Sequence, residues 1–315
     1  MNIVLLESLG ISENSLETYI KKLNVLGHTF KAYERTDDIN LQIERAKEAD
    51  ILIIANMPLK GEVIRSCKNL KFIDIAFNGY DHVDLDAAQE MNIALSNAAG
   101  YSDESVAELT ICMILSLLRK VKDVEKQARS GKTKEGFIGN ELCNKTVGII
   151  GTGKIGLKSA QLCSAFGCNI IGYNGFSNKK DSDLIKYLPL KEMLTLSDIV
   201  LLHCRISNES KNLINKETIG YMKPSSILIN MARGGIVNSK DLADALNANR
   251  ILGAAIDVFE TEPPLEISHP LLKAKNTIIT PHIAFATEES MEKRAKIVFD
   301  NIYHWINGNQ INKVL

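Results

Sequence analysis

The chain has no surplus of charge of either sign: 37 lysines and arginines face 38 aspartates and glutamates among its 315 residues. Without a basic excess, nothing in the composition points to nucleic acid or an anionic membrane surface as a partner. No two of the six cysteines (Cys67, Cys112, Cys143, Cys163, Cys168, Cys204) make a C-x-x-C pair. They sit mostly in apolar runs and read as buried thiols in a reducing compartment, not as disulfides or metal ligands, and no metal is expected. No apolar run approaches the length needed to span a bilayer. The first strand-like stretch, Asn2 to Leu6, is too short for a signal peptide and lacks its basic flank. Internal repeats and low-complexity segments are also missing. These absences favour a cytoplasmic globular protein, and the balance of 45% hydrophobic and 24% charged residues is ordinary for one. The length suggests two domains.

The patterning is an alternation of short apolar runs with helical stretches. NIVLLES, HTFKAYER, ADILIIANMPL, KNLKFIDIAF and NIALSNAAG read as strands, with helices from about Ser15 to Leu26 and Ile39 to Ala49. Gly27 falls where a helix C-cap belongs. Such βα alternation predicts a parallel sheet. Ser102 to Lys120 is the longest apolar helix, hydrophobic on most sides, which predicts burial between domains or in a dimer. Lys120 to Lys134 is charged and predicts a surface helix and loop. From Lys145 the alternation restarts: strands at CNIIGYN, DIVLLHC, SSILINMA, GAAIDVF and NTIITPHIA, helices at Leu190 to Thr195 and Ser239 to Asn247. A last helix, Glu288 to Asn307, has no sheet left in its own unit and is expected to cross back to the N-terminal one.

The organising stretch is KTVGIIGTGKIG, Lys145 to Gly156. A short apolar strand, Val147 to Ile150, runs into Gly151, Gly153 and Gly156, and an apolar-periodic helix follows. This context makes G-x-G-x-x-G a dinucleotide-binding turn. Gly151 permits the reversal, Gly153 lets backbone approach a pyrophosphate, and Gly156 packs helix on sheet. The amides near Lys154 and Ile155 then point at the phosphates with the helix dipole behind them.

Three further residues follow strands, where open α/β sheets place ligands. Arg233 in NMARGGIVN offers a rigid fork of donors suited to a carboxylate and its neighbouring carbonyl. Glu262 in DVFETEPP and His282 in TPHIA lie in loops stiffened by proline. A histidine with a carboxylate partner is a suitable general acid near neutral pH. The other histidines, His28, His82, His203, His269 and His304, read as hydrogen-bonded structural groups.

The order of glycine turn, ARGG, DVFETEPP and TPHIA, with FNGYDHVDLDAA, SVAE and GAAIDVFE, resembles the D-isomer-specific 2-hydroxyacid dehydrogenase family from about Asp50 onward. NAAGYSDESVAE and PHIAFATEES are most similar to its glycerate dehydrogenase/hydroxypyruvate reductase branch. The resemblance implies two Rossmann-like α/β domains with parallel sheets, cofactor and substrate lying in the cleft between them. Residues 1–98 and 287–315 would form the substrate-binding, flavodoxin-like domain and 99–286 the NAD(P)-binding domain. It further implies that His282 protonates the substrate carbonyl with Glu262 as its partner, and that Arg233 binds carboxylate and carbonyl. The backbone amides of Asn78 and Gly79 would complete the carboxylate site, and Asp257 would accept a hydrogen bond from the nicotinamide carboxamide. A homodimer and a small 2-keto or 2-hydroxy acid substrate follow from the same resemblance.

Two departures stand against it. The position where an NAD-binding strand usually ends in Asp or Glu carries Asn174, which does not repel a 2′-phosphate. Ser177, Lys179 and Lys180 follow, and Arg205 stands where relatives usually have proline, so NAD is expected with NADP as the alternative. The chain also ends soon after the last helix, without the C-terminal regulatory domain of many phosphoglycerate dehydrogenases. A different class, an NAD(H)-sensing interaction protein on the same fold, lacks added tails for partner recruitment. Phosphite oxidation stays open as another chemistry for the family, whereas the Glu262–His282 pairing argues against formate oxidation.

Overall fold

The early apolar runs pair as expected. In the computed structural model, which describes residues 1–173, 175–176, 179–261 and 264–315, the chain divides into two units, Met1–Ser102 with Ala286–Leu315, and Asp103–Phe285. The sheet of the first unit comprises β1 (Asn2–Leu5), β2 (Thr29–Ala32), β3 (Ile51–Ile54), β4 (Phe72–Ile75) and β5 (Ala94–Asn97). All its pairings are parallel, in the order β2-β1-β3-β4-β5. The central strand, ILII, is wholly buried, as a parallel strand covered on both faces must be. Four helices connect these strands: α1 (Glu13–Val25), α2 (Ile39–Ala46), α3 (Gly61–Ser66) and α4 (Leu85–Glu90). Ser12 caps α1 by accepting a bond from the Ser15 amide, and Asp38 caps α2. Gly27, at φ +80°, terminates α1 in the left-handed region.

The second unit opens with α5 (Asp103–Leu118) and α6 (Val121–Arg129). Its sheet contains β6 (Thr146–Ile150), β7 (Asn169–Tyr173), β8 (Lys186–Leu188), β9 (Ile199–Leu202), β10 (Ile227–Asn230), β11 (Gly253–Ile256) and β12 (Thr277–Ile279). The order is β12-β11-β10-β9-β6-β7-β8. Strand order reverses between β6 and β9, so a crevice opens at the carboxyl end of β6. The connecting helices are α7 (Lys154–Ala165), α8 (Leu190–Leu196), α9 (Lys216–Ile219) and α10 (Ser239–Asn247). The apolar character of α5 is used inside its own unit. Val106, Ile111, Met113, Ile114 and Leu118 join the core with Val147, Ile149 and Cys163, and Leu109, Leu115 and Leu117 pack on it. Cys112 stays exposed. Among the described residues, no helix is long and apolar enough to cross a membrane.

The last helix, α11 (Glu288–Ile306), belongs to the first unit. Thr287 and Ser290 form a capping box at its start. On its buried face, Phe299 stacks on Tyr19 with centroids 4.2 Å apart and Trp305 stacks on Phe72 at 4.9 Å. The fully buried Asn301 donates from Nδ2 to Asp74 Oδ1 (2.9 Å) and to the Asn97 carbonyl (3.1 Å). Asn312 Nδ2 in turn donates to Asn301 Oδ1 (2.8 Å). The helix is thus fixed by polar bonds inside an apolar contact, which sets its register on β4 and β5.

Candidate active site

The glycine turn closes as its sequence requires. Gly151 follows β6 at φ +96°, and a Cβ there would lie 2.3 Å from the Cys204 amide nitrogen. At Gly156 a Cβ would fall 2.1 Å from the Gly151 carbonyl oxygen, so only glycine lets α7 sit this close to the strand. A Cβ at Gly153 would meet nothing within 4 Å. That residue is the N-cap of α7, and no side chain caps the helix. The first-turn amides, those of Lys154 and Ile155 among them, therefore face an open approach with the positive end of the helix dipole behind them. This arrangement fits the pyrophosphate of a dinucleotide. Two side chains meet the turn: Lys179 Nζ donates to the Thr152 carbonyl, and the Thr152 and Tyr187 hydroxyls lie 2.8 Å apart. Asn174 and Ser177, named above as coenzyme-reading positions, lie outside the described residues. Arg205 follows β9 with an exposed side chain, and its carbonyl accepts a bond from Ser210 Oγ (2.8 Å).

Three neighbouring strands, β10, β11 and β12, deliver Arg233, Asp257 and His282 at their carboxyl ends. Arg233 is half-buried. Its carbonyl accepts from Asn230 Nδ2 (3.0 Å), its own Nη1 donates to the Ala232 carbonyl (2.9 Å), and Asn230 Oδ1 accepts from the Ala232 amide (3.1 Å). The next residue, Gly234, lies so close to Phe259 that a Cβ would sit 1.8 Å from its carbonyl carbon. The arginine loop is thereby seated directly on the loop after β11.

Asp257 is fully buried, and its carboxylate gathers the loop that carries the histidine. Oδ1 accepts from Thr280 Oγ1 (2.6 Å) and the Ile283 amide (2.9 Å), and Oδ2 accepts from the Ala284 amide (2.9 Å). The Asp257 carbonyl accepts from the His282 amide (2.8 Å). Held in this way, His282 sits at φ +58°, a left-handed conformation uncommon for a residue with a Cβ. Its ring meets Phe285 edge-on at 5.3 Å. Burial pushes the Asp257 carboxyl above the usual carboxylate range, opposed by these three hydrogen bonds and by the charge of His282. Residue patterning had assigned Asp257 only through the resemblance, as a nicotinamide contact; the bracing of His282 was not readable. Glu262 lies outside the described residues.

In the first unit, Asn78 follows β4. Its Oδ1 accepts from the Gly100 amide (2.8 Å), its Nδ2 donates to Ser102 Oγ (2.7 Å), and its carbonyl accepts from Asn97 Nδ2 (2.8 Å). Among the described residues, the amides of Asn78 and Gly79 donate to no backbone carbonyl. A residue missed in the sequence is Glu7, buried just after β1. Its Oε1 accepts from the amides of Ala55 (2.7 Å) and Met57 (2.6 Å), tying the loop after β3 to the switch point of this sheet. The signal was an acid placed directly after an apolar run. Of the remaining histidines, His203 Nε2 lies 3.0 Å from Ser159 Oγ and His269 Nε2 lies 3.2 Å from Glu260 Oε2. Burial pushes the His203 pKa down to about 4, which keeps it neutral.

A bare helix start at a sheet's switch point, with an arginine and a braced histidine following two strands that flank β11, defines a nucleotide-dependent oxidoreductase of the doubly wound class. The chain belongs to the D-isomer specific 2-hydroxyacid dehydrogenase family, whose NAD-binding-domain model matches residues 111–284. It is 33% identical over 324 residues to a hydroxypyruvate reductase of Blautia hydrogenotrophica, covering 100% of this chain and 99% of that one. Among solved structures, it is similar to an acyclic imino acid reductase, Bsp5, in complex with NADPH and D-Arg: TM-score 0.91, 26% identity, 100% of both chains covered. It is also similar to D-lactate dehydrogenase from Aquifex aeolicus, complexed with NAD and lactic acid: TM-score 0.85, 28% identity, 98% and 96% covered. The protein is an NAD(P)-dependent oxidoreductase of this family.

Proposed function

We propose that this enzyme reduces a short 2-keto acid, hydroxypyruvate first, to the D-2-hydroxy acid. The observation that carries the reading is that Arg233 and the braced His282 follow β10 and β12, on either side of Asp257 after β11, in the sheet that holds the glycine turn. NADH is the proposed coenzyme. NADPH is the second reading, favoured by the Lys179 ammonium lying against the turn.

The coenzyme, when bound, supplies the hydride. Gly151, Gly153 and Gly156 give its pyrophosphate room, the Lys154 and Ile155 amides bind it, and Asp257 Oδ2 has one acceptor site left for the carboxamide. Arg233 orients the substrate by pairing its guanidinium with the carboxylate and the 2-carbonyl oxygen. In the first unit, the amides of Asn78 and Gly79 are suited to a substrate carboxylate. His282 holds a proton and releases it to the carbonyl oxygen as negative charge develops there. Glu262 is assigned the stabilisation of the imidazolium. Asp257 keeps the loop that carries His282 in place throughout.

The cytoplasm and a homodimer belong to the same reading; Val121 and Ile138, 49% and 87% exposed, give the second unit apolar surface to cover. Sedimentation of the purified protein reads the dimer. The test of function is reduced-nicotinamide consumption with hydroxypyruvate, NADH and NADPH side by side. Turnover with one coenzyme at least tenfold above the other supports the reading and selects the coenzyme. Tight coenzyme binding with no turnover on hydroxypyruvate, glyoxylate or longer 2-keto acids would overturn it in favour of a sensing protein.

A further inference from the structure

Two of the six cysteines meet at the carboxyl end of α7, and a third, Cys143, lies beside Gly167. The cause is a backbone motif. Helix α7 ends in a left-handed glycine, Gly167 at φ +80°. The Gly167 amide donates to the Ser164 carbonyl (2.8 Å), and the Cys168 amide donates to the Cys163 carbonyl (3.2 Å). This pair of bonds is the Schellman C-cap, in which the residue after the glycine and the one five earlier bring their side chains together. Here both are cysteines. Cys163 is wholly buried and Cys168 is 8% exposed. Cys168 Sγ donates to the Leu142 carbonyl (3.4 Å), and the exposed Cys143 places its Sγ 3.0 Å from where a Gly167 Cβ would be.

A disulfide needs Cα atoms about 4.4–6.8 Å apart, and the bond from the Cys168 amide to the Cys163 carbonyl holds the two backbones close together. The sulfurs also differ in acidity. The Cys163 thiol, hydrogen-bonded to its neighbour and desolvated, is pushed up, while the hydrogen bond from Cys163 and the charge of Lys145 hold Cys168 below the ordinary thiol value. Cys163 is wholly buried whereas Cys168 keeps some exposure, so Cys168 is the sulfur a peroxide reaches and Cys163 the resolving partner.

We propose that Cys163 and Cys168 form a peroxide-reactive dithiol that closes reversibly to a disulfide at the end of the nucleotide-binding helix. The Cys168 thiolate attacks one oxygen of a hydroperoxide. The O–O bond breaks, Cys168 becomes a sulfenic acid, and the leaving alkoxide or hydroxide takes up the thiol proton. The Cys163 sulfur then attacks the sulfenic sulfur, forming S–S and expelling hydroxide, which leaves as water with the Cys163 proton. Two thiols and one hydroperoxide give one disulfide, one alcohol or water, and one water.

The test uses the full chain and hydrogen peroxide in small excess, quenched in denaturant with N-ethylmaleimide and digested with trypsin. No lysine or arginine lies between Lys158 and Lys179, so both cysteines fall on one peptide, residues 159–179. That peptide is expected to lose both labels and become two hydrogens lighter before the exposed Cys112 loses its label, with dithiothreitol restoring both. In Cys163→Ala, Cys168 should instead accumulate as a sulfenic acid trapped by dimedone. Retention of both labels on residues 159–179 while Cys112 or Cys143 is oxidised would overturn the proposal. A crosslink of Cys168 to the Cys143 peptide would do the same.

Discussion

Replacing Asp257 with asparagine separates the bracing of His282 from everything else the loop does. Asparagine matches the carboxylate in size but offers one acceptor oxygen and one NH2. Whichever way the amide turns, a donor will face either the Ala284 amide or the Thr280 and Ile283 donors. At least one buried N–H then loses its acceptor, at a cost of about 1–3 kcal/mol. The left-handed backbone of His282 itself costs about 1–2 kcal/mol, and the carboxylate bonds are what offset it. Losing an anchor comparable to that strain lets the loop relax, and each 1.4 kcal/mol lowers the braced population about tenfold. The expected result is a fall in kcat of about 10–100-fold, with NADH affinity, read by nicotinamide fluorescence, changing by less than about tenfold. Single-turnover kinetics should show the loss in the chemical step. A folded variant with kcat within twofold of the parent would refute the reasoning. A rise confined to the KM for NADH would reduce Asp257 to a coenzyme contact.

His282→Ala should abolish reduction, by about 10²–10⁴-fold for loss of a general acid, while leaving NADH binding nearly intact; lost NADH binding would sink the assigned role. Arg233→Lys should raise the KM for the keto acid by about 10–100-fold, because an ammonium cannot replace the planar fork; an unchanged KM counts against substrate contact. Burial holds the Asp74 carboxyl well above the usual carboxylate range, with the Asn301 bond pulling it back. A carboxyl raised on folding adds stability below its unfolded value and loses it as pH rises through the folded one. Asp74→Asn should therefore melt higher than the parent at pH 9, by about 2–4 °C for each kcal/mol recovered, with the gap closing toward pH 4. A gap independent of pH would show that folding does not raise the Asp74 pKa.

The inner strands were legible because each is a run of apolar, often β-branched residues long enough to be buried, as ILII of β3 and IVLL of β9 show. What escaped is short or depends on distant packing. Helices α3 and α4, six residues each, and the four-residue α9 carry too little periodicity to declare themselves. Strand β8, KYL at the sheet edge, is three residues without an apolar run. The all-round hydrophobicity of α5 was visible, but its use within one unit's core was not, since a single face cannot say which partner covers it. At the site, motif order pointed to Arg233 and His282, whereas the left-handed turn of His282 and its anchoring by Asp257 depend on a loop of a few residues that has no period. The meeting of Cys163 and Cys168 was hidden likewise, because C-x4-C pairs only through the helix ending at Gly167.

The return of α11 to the first sheet has a consequence for biosynthesis. The first hundred residues leave the ribosome before the helix that covers Phe72 and bonds Asp74, and before Lys313 bridges to Ser96. They must wait for the whole of Asp103–Phe285 to emerge. The second unit, continuous in sequence, can close during synthesis, while the nascent N-terminal sheet keeps an apolar face and a buried-to-be carboxyl open to solvent. In the cell, the order of completion runs opposite to the order of synthesis, and the N-terminal sheet is the part that most needs a chaperone's protection.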